Sequence, residues 1–127
     1  MTGRLLIDTD ILVDYLRGTP AAVAFVEGRS EDFLASAISV AELFAGVREG
    51  RERASLESFI AAFNVVPVDR EIAERAGIYR RDFMRSHRLG LADALVAATA
   101  DLMDADLATL NVKHFPTRPR LKPPYAK

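Results

Sequence analysis

The sequence predicts an α/β fold, a three-layer α/β/α sandwich around a central, mainly parallel sheet of four to five strands. Three observations carry this. Leu5-Leu6-Ile7 is an apolar run without polar alternation, which suits a short strand buried on both faces. Short runs of this kind alternate along the chain with segments whose apolar residues recur at helical spacing. One such segment, Leu91 to about Met103 (LADALVAATADLM), is apolar nearly all round and therefore demands burial.

The first strand ends in Asp8-Thr9-Asp10, and a helical pattern (Ile11, Leu12, Tyr15, Leu16) follows directly. Gly18 stops that helix, Thr19 caps the next, and Pro20 takes its first turn, where a missing N–H costs nothing. This second helix runs to about Glu27 and stops at Gly28; Phe33-Leu34-Ala35 is the second strand. A helix then begins near Ser39, with Val40, Leu43, Phe44 and Val47 forming one apolar stripe. Gly46 and Arg48-Glu49-Gly50-Arg51 lead into a turn, and Leu56, Phe59, Ile60 and Phe63 mark another helix. Val65-Val66-Pro67-Val68 is the third strand, moved toward an edge by a proline that cannot donate to a ladder.

Asp69 is a good N-cap for a helix carrying Ile72, Ala76, Tyr79 and Phe83 to about Ser86, which Arg88-Leu89-Gly90 breaks. After the buried helix, Leu107-Ala108-Thr109-Leu110 is the fourth strand, with Asn111 at its carboxyl end. From about residue 116 a basic, proline-rich tail resists regular helix and is expected to be extended or loose.

At 127 residues the chain is expected to form one domain, residues 1–127. No apolar run approaches the roughly 20 residues that span a bilayer, and no secretion signal opens the chain. The absence of cysteine excludes disulfides, zinc–thiolate sites and thiol nucleophiles, and it suits a cytoplasmic protein. The net charge of −1 advertises no polyanion, but its distribution is uneven. Arg80, Arg81, Arg85 and Arg88 crowd one stretch, and residues 112–127 hold Lys113, Arg118, Arg120, Lys122 and Lys127 without an acid. Either cluster alone reads as a solvated face; together they suggest a polyanion partner.

Ligands of parallel α/β sheets bind outside the carboxyl ends of the strands, so Asp8 stands where chemistry is done. Asp93 opens the buried helix among small neighbours. Ionised there, it needs a compensating cation, unless it merely complements the helix N-terminus. Glu42 fits a capping box with Ser39, the reading its spacing favours, but it also lies on a second face of small residues (Ala41, Ala45, Gly46). Asp10 reads as a helix cap or an additional ligand. Asp101, Asp104 and Asp106 read as solvated, and His87 and His114 lack metal-ligand spacing. There is no nucleophile elbow, glycine-rich phosphate loop or zinc motif. What remains is a set of oxygen ligands, Asp8, Glu42, Asp93 and Asn111. If they meet in one cleft, the three carboxylates cannot all stay ionised without a cation, and oxygen-only donors select Mg²⁺ or Mn²⁺.

With these residues in hand, the chain resembles the PIN-domain endoribonucleases, specifically the VapC-type toxins of bacterial toxin–antitoxin pairs. LLIDTDILVDYLRG resembles the family's opening strand and helix, with Asp8 as its first acid. SAISVAELFAGVREG places the family's glutamate at Glu42, and LGLADALVAATA places its later acid at Asp93. LATLNVKHF closes the set, with Thr109 and Asn111 on a Thr-x-Asn/Asp position. The resemblance implies a metal-dependent nuclease cutting RNA, with Asp8, Glu42, Asp93 and Asn111 as catalytic residues and Asp8, Glu42 and Asp93 on Mg²⁺ (or Mn²⁺). It also implies a homodimer and a cognate antitoxin whose C-terminal segment occludes the cleft. It moves Glu42 from cap to site. Two departures stand out: Asn111 is neutral where many relatives carry aspartate, and Asp10 stands where relatives usually have Ser or Asn. Two rival readings remain: a haloacid dehalogenase-like phosphatase with Asp8 as nucleophile and Asp10 as general acid, and a catalytically dead module binding RNA or a protein partner.

Overall fold

The computed structural model describes residues 3–126. Its strands are β1 (Arg4–Ile7), β2 (Asp32–Ser36), β3 (Asn64–Val66) and β4 (Asp106–Ala108). They form one sheet in the order β3-β2-β1-β4, every neighbouring pair parallel. The helices are α1 (Thr9–Leu16), α2 (Pro20–Glu27), α3 (Ala37–Ala45), α4 (Arg51–Ala61), α5 (Arg70–His87) and α6 (Leu91–Leu102), followed by a 3₁₀ turn at Val112–His114.

The three layers follow from the two-residue period of the strands. In β1, Leu6 joins Leu34 of β2 and Leu107 of β4 on one face, where Ile72, Ala76, Val96 and Ala97 of α5 and α6 cover them. Leu5 and Ile7 join Ala35 and Ala108 on the other, under Ile11, Leu12, Val26, Leu43 and Leu56 of α1 to α4. A run with no polar alternation is therefore required: both faces of β1 are interior. β3 is an edge strand, as Pro67 demanded, and it stops just before that proline.

Several boundaries depart from the sequence expectation. Helix α3 starts at Ala37, directly off β2, because the Ser36 hydroxyl caps it by accepting from the Ile38 N–H (3.1 Å). Ser39 is thus an interior, buried residue, and its capping box with Glu42 does not form. β4 ends at Ala108, since Thr109 and Leu110 turn to bond Asp10 instead of continuing the ladder. Asp101 is not merely solvated: it accepts from the Tyr79 hydroxyl (2.5 Å) and the Arg118 guanidinium (2.7 Å), joining α6 to α5 and to the tail.

Nor is the tail loose. Phe115 is fully buried and Leu121 packs on the α5/α6 core. The Tyr125 hydroxyl donates to Asp14 (2.8 Å), a carboxylate 2% exposed in α1, and its ring lies 6.5 Å from that of Phe25. Burial and the Asp14 carboxylate hold the Tyr125 phenol above its usual range. At the other end of the α5–α6 hairpin, Arg88 ends α5 in the left-handed conformation (φ 51, ψ 41), its N–H donating to the Met84 carbonyl (2.9 Å). A residue with a Cβ costs roughly 1 kcal/mol there, where glycine would cost little.

Candidate active site at the sheet's switch point

The chain moves from β1 outward to β2 and β3, then returns to place β4 on the opposite side of β1. The crevice at the carboxyl ends of β1 and β4 is thus the topological switch point, where open parallel sheets bind ligands. Asp8 follows β1 there and is 4% exposed. Its backbone N–H still pairs with Ala108 (2.9 Å), while its side chain caps α1 by accepting from the Thr9 N–H (2.8 Å). Its second oxygen accepts from the Thr109 hydroxyl (2.9 Å). Burial, then the charge of Asp10, push the Asp8 carboxyl up to about 7, against the opposing pull of Thr109 and Thr9; Asp93 adds to the rise.

Asp10 is not the cap of α1, a position Asp8 takes. It spans the crevice, accepting from the Ile11 N–H (2.7 Å), the Leu110 N–H (2.9 Å) and, more weakly, the Thr109 hydroxyl (3.3 Å). The fixed N–H groups offset part of the burial that raises its carboxyl. With these bonds made, Asp10 is a brace between α1 and the end of β4, a poor fit to the free general acid of the phosphatase reading. Thr109, fully buried, has one hydroxyl proton to share between two carboxylates and accepts from the Asn111 N–H (3.1 Å).

Glu42, one turn into α3, is exposed and accepts from the Thr9 hydroxyl (2.7 Å). The Ser39 hydroxyl lies 2.9 Å from the same Thr9 oxygen, so Ser39 donates to Thr9 and Thr9 to Glu42. Asp93, in the first turn of α6, lies 3.0 Å from His114 Nδ1. Burial raises the Asp93 carboxyl, His114 lowers it, and the charges of Glu42 and Asp10 raise it again. The four carboxylates therefore share one electrostatic neighbourhood. Asn111 is exposed beside them, its backbone engaged and its side chain without a hydrogen bond among the described residues. In this arrangement no group of three His, Asp or Glu side chains among the described residues converges closely enough to cage a cation. Thr9 and His114 occupy oxygens of Glu42 and Asp93.

The supporting residues Thr9, Ser39 and His114 had no local signature in the sequence, because their roles exist only across 21 to 33 residues of separation. Thr109 could be found only through its place in the closing block.

A parallel α/β domain with buried acids at the β1/β4 crevice is the class that fold and site define. The comparison with known proteins gives the family: residues 5–117 match the PIN domain. The chain is 48% identical over 125 residues to ribonuclease VapC10 of Mycobacterium tuberculosis, covering 96% of this chain and 93% of that one. It is 47% identical over 124 residues to ribonuclease VapC19 of the same species, covering 94% and 98%. A solved toxin–antitoxin complex from Klebsiella pneumoniae contains a chain that aligns with a TM-score of 0.83 at 30% identity, over 95% of this chain and 98% of that one. The chain belongs to the PIN-domain family, as a member of its VapC group. No helix among the described residues is long and apolar enough to cross a membrane.

Proposed function

We propose that this chain is the toxin of a toxin–antitoxin pair, a cytoplasmic endoribonuclease that hydrolyses RNA phosphodiester bonds with Mg²⁺ or Mn²⁺. The observation that carries the reading is the cluster of mutually destabilising carboxylates, Asp8 above all, held at the sheet's switch point. Asp8 and Asp93, whose ionised forms are disfavoured by burial and by neighbouring carboxylates, are hard oxygen donors that fit a divalent cation, which would relieve both penalties at once. Asp8, Glu42 and Asp93 would hold the ion, with Asn111 assisting. To hold it, Asp93 would give up its contact with His114 and Glu42 its contact with Thr9. Such an ion would supply Lewis-acid stabilisation of a phosphate and would lower the pKa of a water enough to make hydroxide available at neutral pH.

The chain's own residues supply the rest. Thr109 fixes the orientation of Asp8, Asp10 braces the crevice, and the Ser39–Thr9 relay aims Glu42. The neighbours' names support the partners: VapC10 and VapC19 are named ribonucleases, and the Klebsiella structure is a toxin–antitoxin complex. On this reading the chain works as a homodimer, restrained by an antitoxin segment lying in the cleft. The test is to map RNA 5′ ends after inducing the wild type and Asp93→Asn in parallel. New ends with the wild type and none with the variant are expected. Identical growth arrest without new ends in either would favour a binding module that does not cut.

A further inference from the structure

A strand of RNA brought to four carboxylates is repelled by them, and a chain of net charge −1 offers no general attraction to compensate. The affinity must come from a local field. The structure resolves the two basic stretches of the sequence into different fates. Arg81 pairs with Asp82, and Arg118, although it lines a groove at the end of α5, is taken by Asp101. Arg85 and Arg88 instead face Lys113 of the 3₁₀ turn across this groove, of about 660 Å³. None of these three makes a side-chain ion pair or hydrogen bond among the described residues, and no carboxylate lines the groove. His114 lines it too and lies 3.0 Å from Asp93, so the groove and the acidic crevice share a wall.

We propose that this groove is the backbone-binding subsite for the RNA strand, with Arg85, Arg88 and Lys113 taking phosphates to one side of the bond that is cut. The proposal rests on the ribonuclease reading and extends it to named residues. A simpler account, cations complementing the C-terminal end of α5, covers Arg85 but not Lys113, which comes from another segment. It also leaves unexplained why an arginine occupies the left-handed position at 88, where glycine would relieve the backbone. Val112, Pro116 and Pro119 add apolar lining, suited to riboses and bases between the phosphates.

The test is anisotropy of a fluorescent single-stranded RNA of mixed sequence, with EDTA present to prevent cutting, at several salt concentrations. The proteins are the full-length wild type, Arg85→Ala/Arg88→Ala, Arg88→Ala/Lys113→Ala, and the control Arg17→Ala/Arg51→Ala, which removes equal charge from exposed positions elsewhere. Cleavage with Mn²⁺ is read in parallel. Each groove double variant should weaken binding on the order of tenfold and flatten the slope of log K against log salt by about 1.4, at ~0.7 per phosphate contact. In cleavage the loss should fall on KM more than kcat, and the control should match the wild type. Unchanged melting curves would exclude misfolding, since all three residues are exposed. If the wild type binds and cuts while the groove variants keep its affinity and slope, the subsite is refuted and the ribonuclease reading stands. Variants that bind RNA normally but lose affinity for an acidic peptide would assign the groove to a protein partner and refute it equally. A wild type that neither binds nor cuts RNA would remove the ribonuclease reading, and the subsite with it.

Discussion

Asp8→Asn should stabilise the ion-free protein at alkaline pH and do almost nothing for it in acid. The Asp8 carboxyl rises from an ordinary 3.8 to about 7 on folding. Below pH 3.8 it is protonated in both states and contributes no penalty. Between the two values the unfolded chain has released the proton and the folded chain has kept it, so stability falls as pH rises. Above about 7 the full penalty is present. Three pH decades at 1.36 kcal/mol each amount to about 4 kcal/mol, and water entry at the crevice should reduce this to about 2–4 kcal/mol. The asparagine can still accept from the Thr9 N–H, and its amide can donate to Thr109, whose hydroxyl then turns wholly to Asp10. Urea unfolding in EDTA at pH 4.5, 6 and 8 measures the difference between variant and wild type. That difference should grow steadily with pH. A constant difference across the three would refute the account of Asp8 as a carboxylate held protonated by burial and its neighbours.

Three further outcomes follow from the same contacts. Millimolar Mn²⁺ should raise the melting temperature of the wild type, by about 2.7 kcal/mol of stability at a hundredfold excess over Kd, and leave Asp93→Asn unmoved; calorimetry with and without EDTA checks this. Thr109→Val removes the hydroxyl that lowers the Asp8 carboxyl, so it should cost about 1–3 kcal/mol at pH 8 by urea unfolding and reduce cleavage in a timed RNA assay. Tyr125→Phe leaves the buried Asp14 short of a donor and should cost about 1–3 kcal/mol in the same unfolding assay, with RNA cleavage unchanged.

Most of the architecture was legible because it rests on local physics. Leu5-Leu6-Ile7 suits a strand covered on both faces, and the nearly all-apolar segment beginning at Leu91 implies a buried helix, as both are found apart from the exposed Leu91 itself. Pro67 placed the third strand at the rim of the sheet. The misread boundaries have different causes, a local cap in one case and a distant carboxylate in the other. Spacing favoured Ser39 as the start of α3, but Ser36 closes the strand and opens the helix with no intervening loop. Thr109 and Leu110 carry a strand's composition, yet Asp10 draws them out of the sheet. Of the candidate site, the sequence proposes the acids but not their arrangement. Asp8 and Asp93 stand out as charges in apolar surroundings, whereas Thr9, Ser39 and His114 acquire meaning only once α1, α3 and α6 meet. The tail was misjudged because proline forbids helix without forbidding contact, and Tyr125 reaches back across 111 residues to Asp14.

The pairing of β1 with β4 has a bearing on how the protein folds. Asp8 lies 101 residues before the Thr109 hydroxyl that seats it, and its strand pairs with a β4 nearly as far along the chain. Without β4 and Thr109, the Thr9 contacts still join α1 to α3, but Asp8 loses the Ala108 and Thr109 partners that hold it in the crevice. Closure of the crevice around Asp8 therefore depends on contacts of very long sequence separation, the kind that are slow to form in folding.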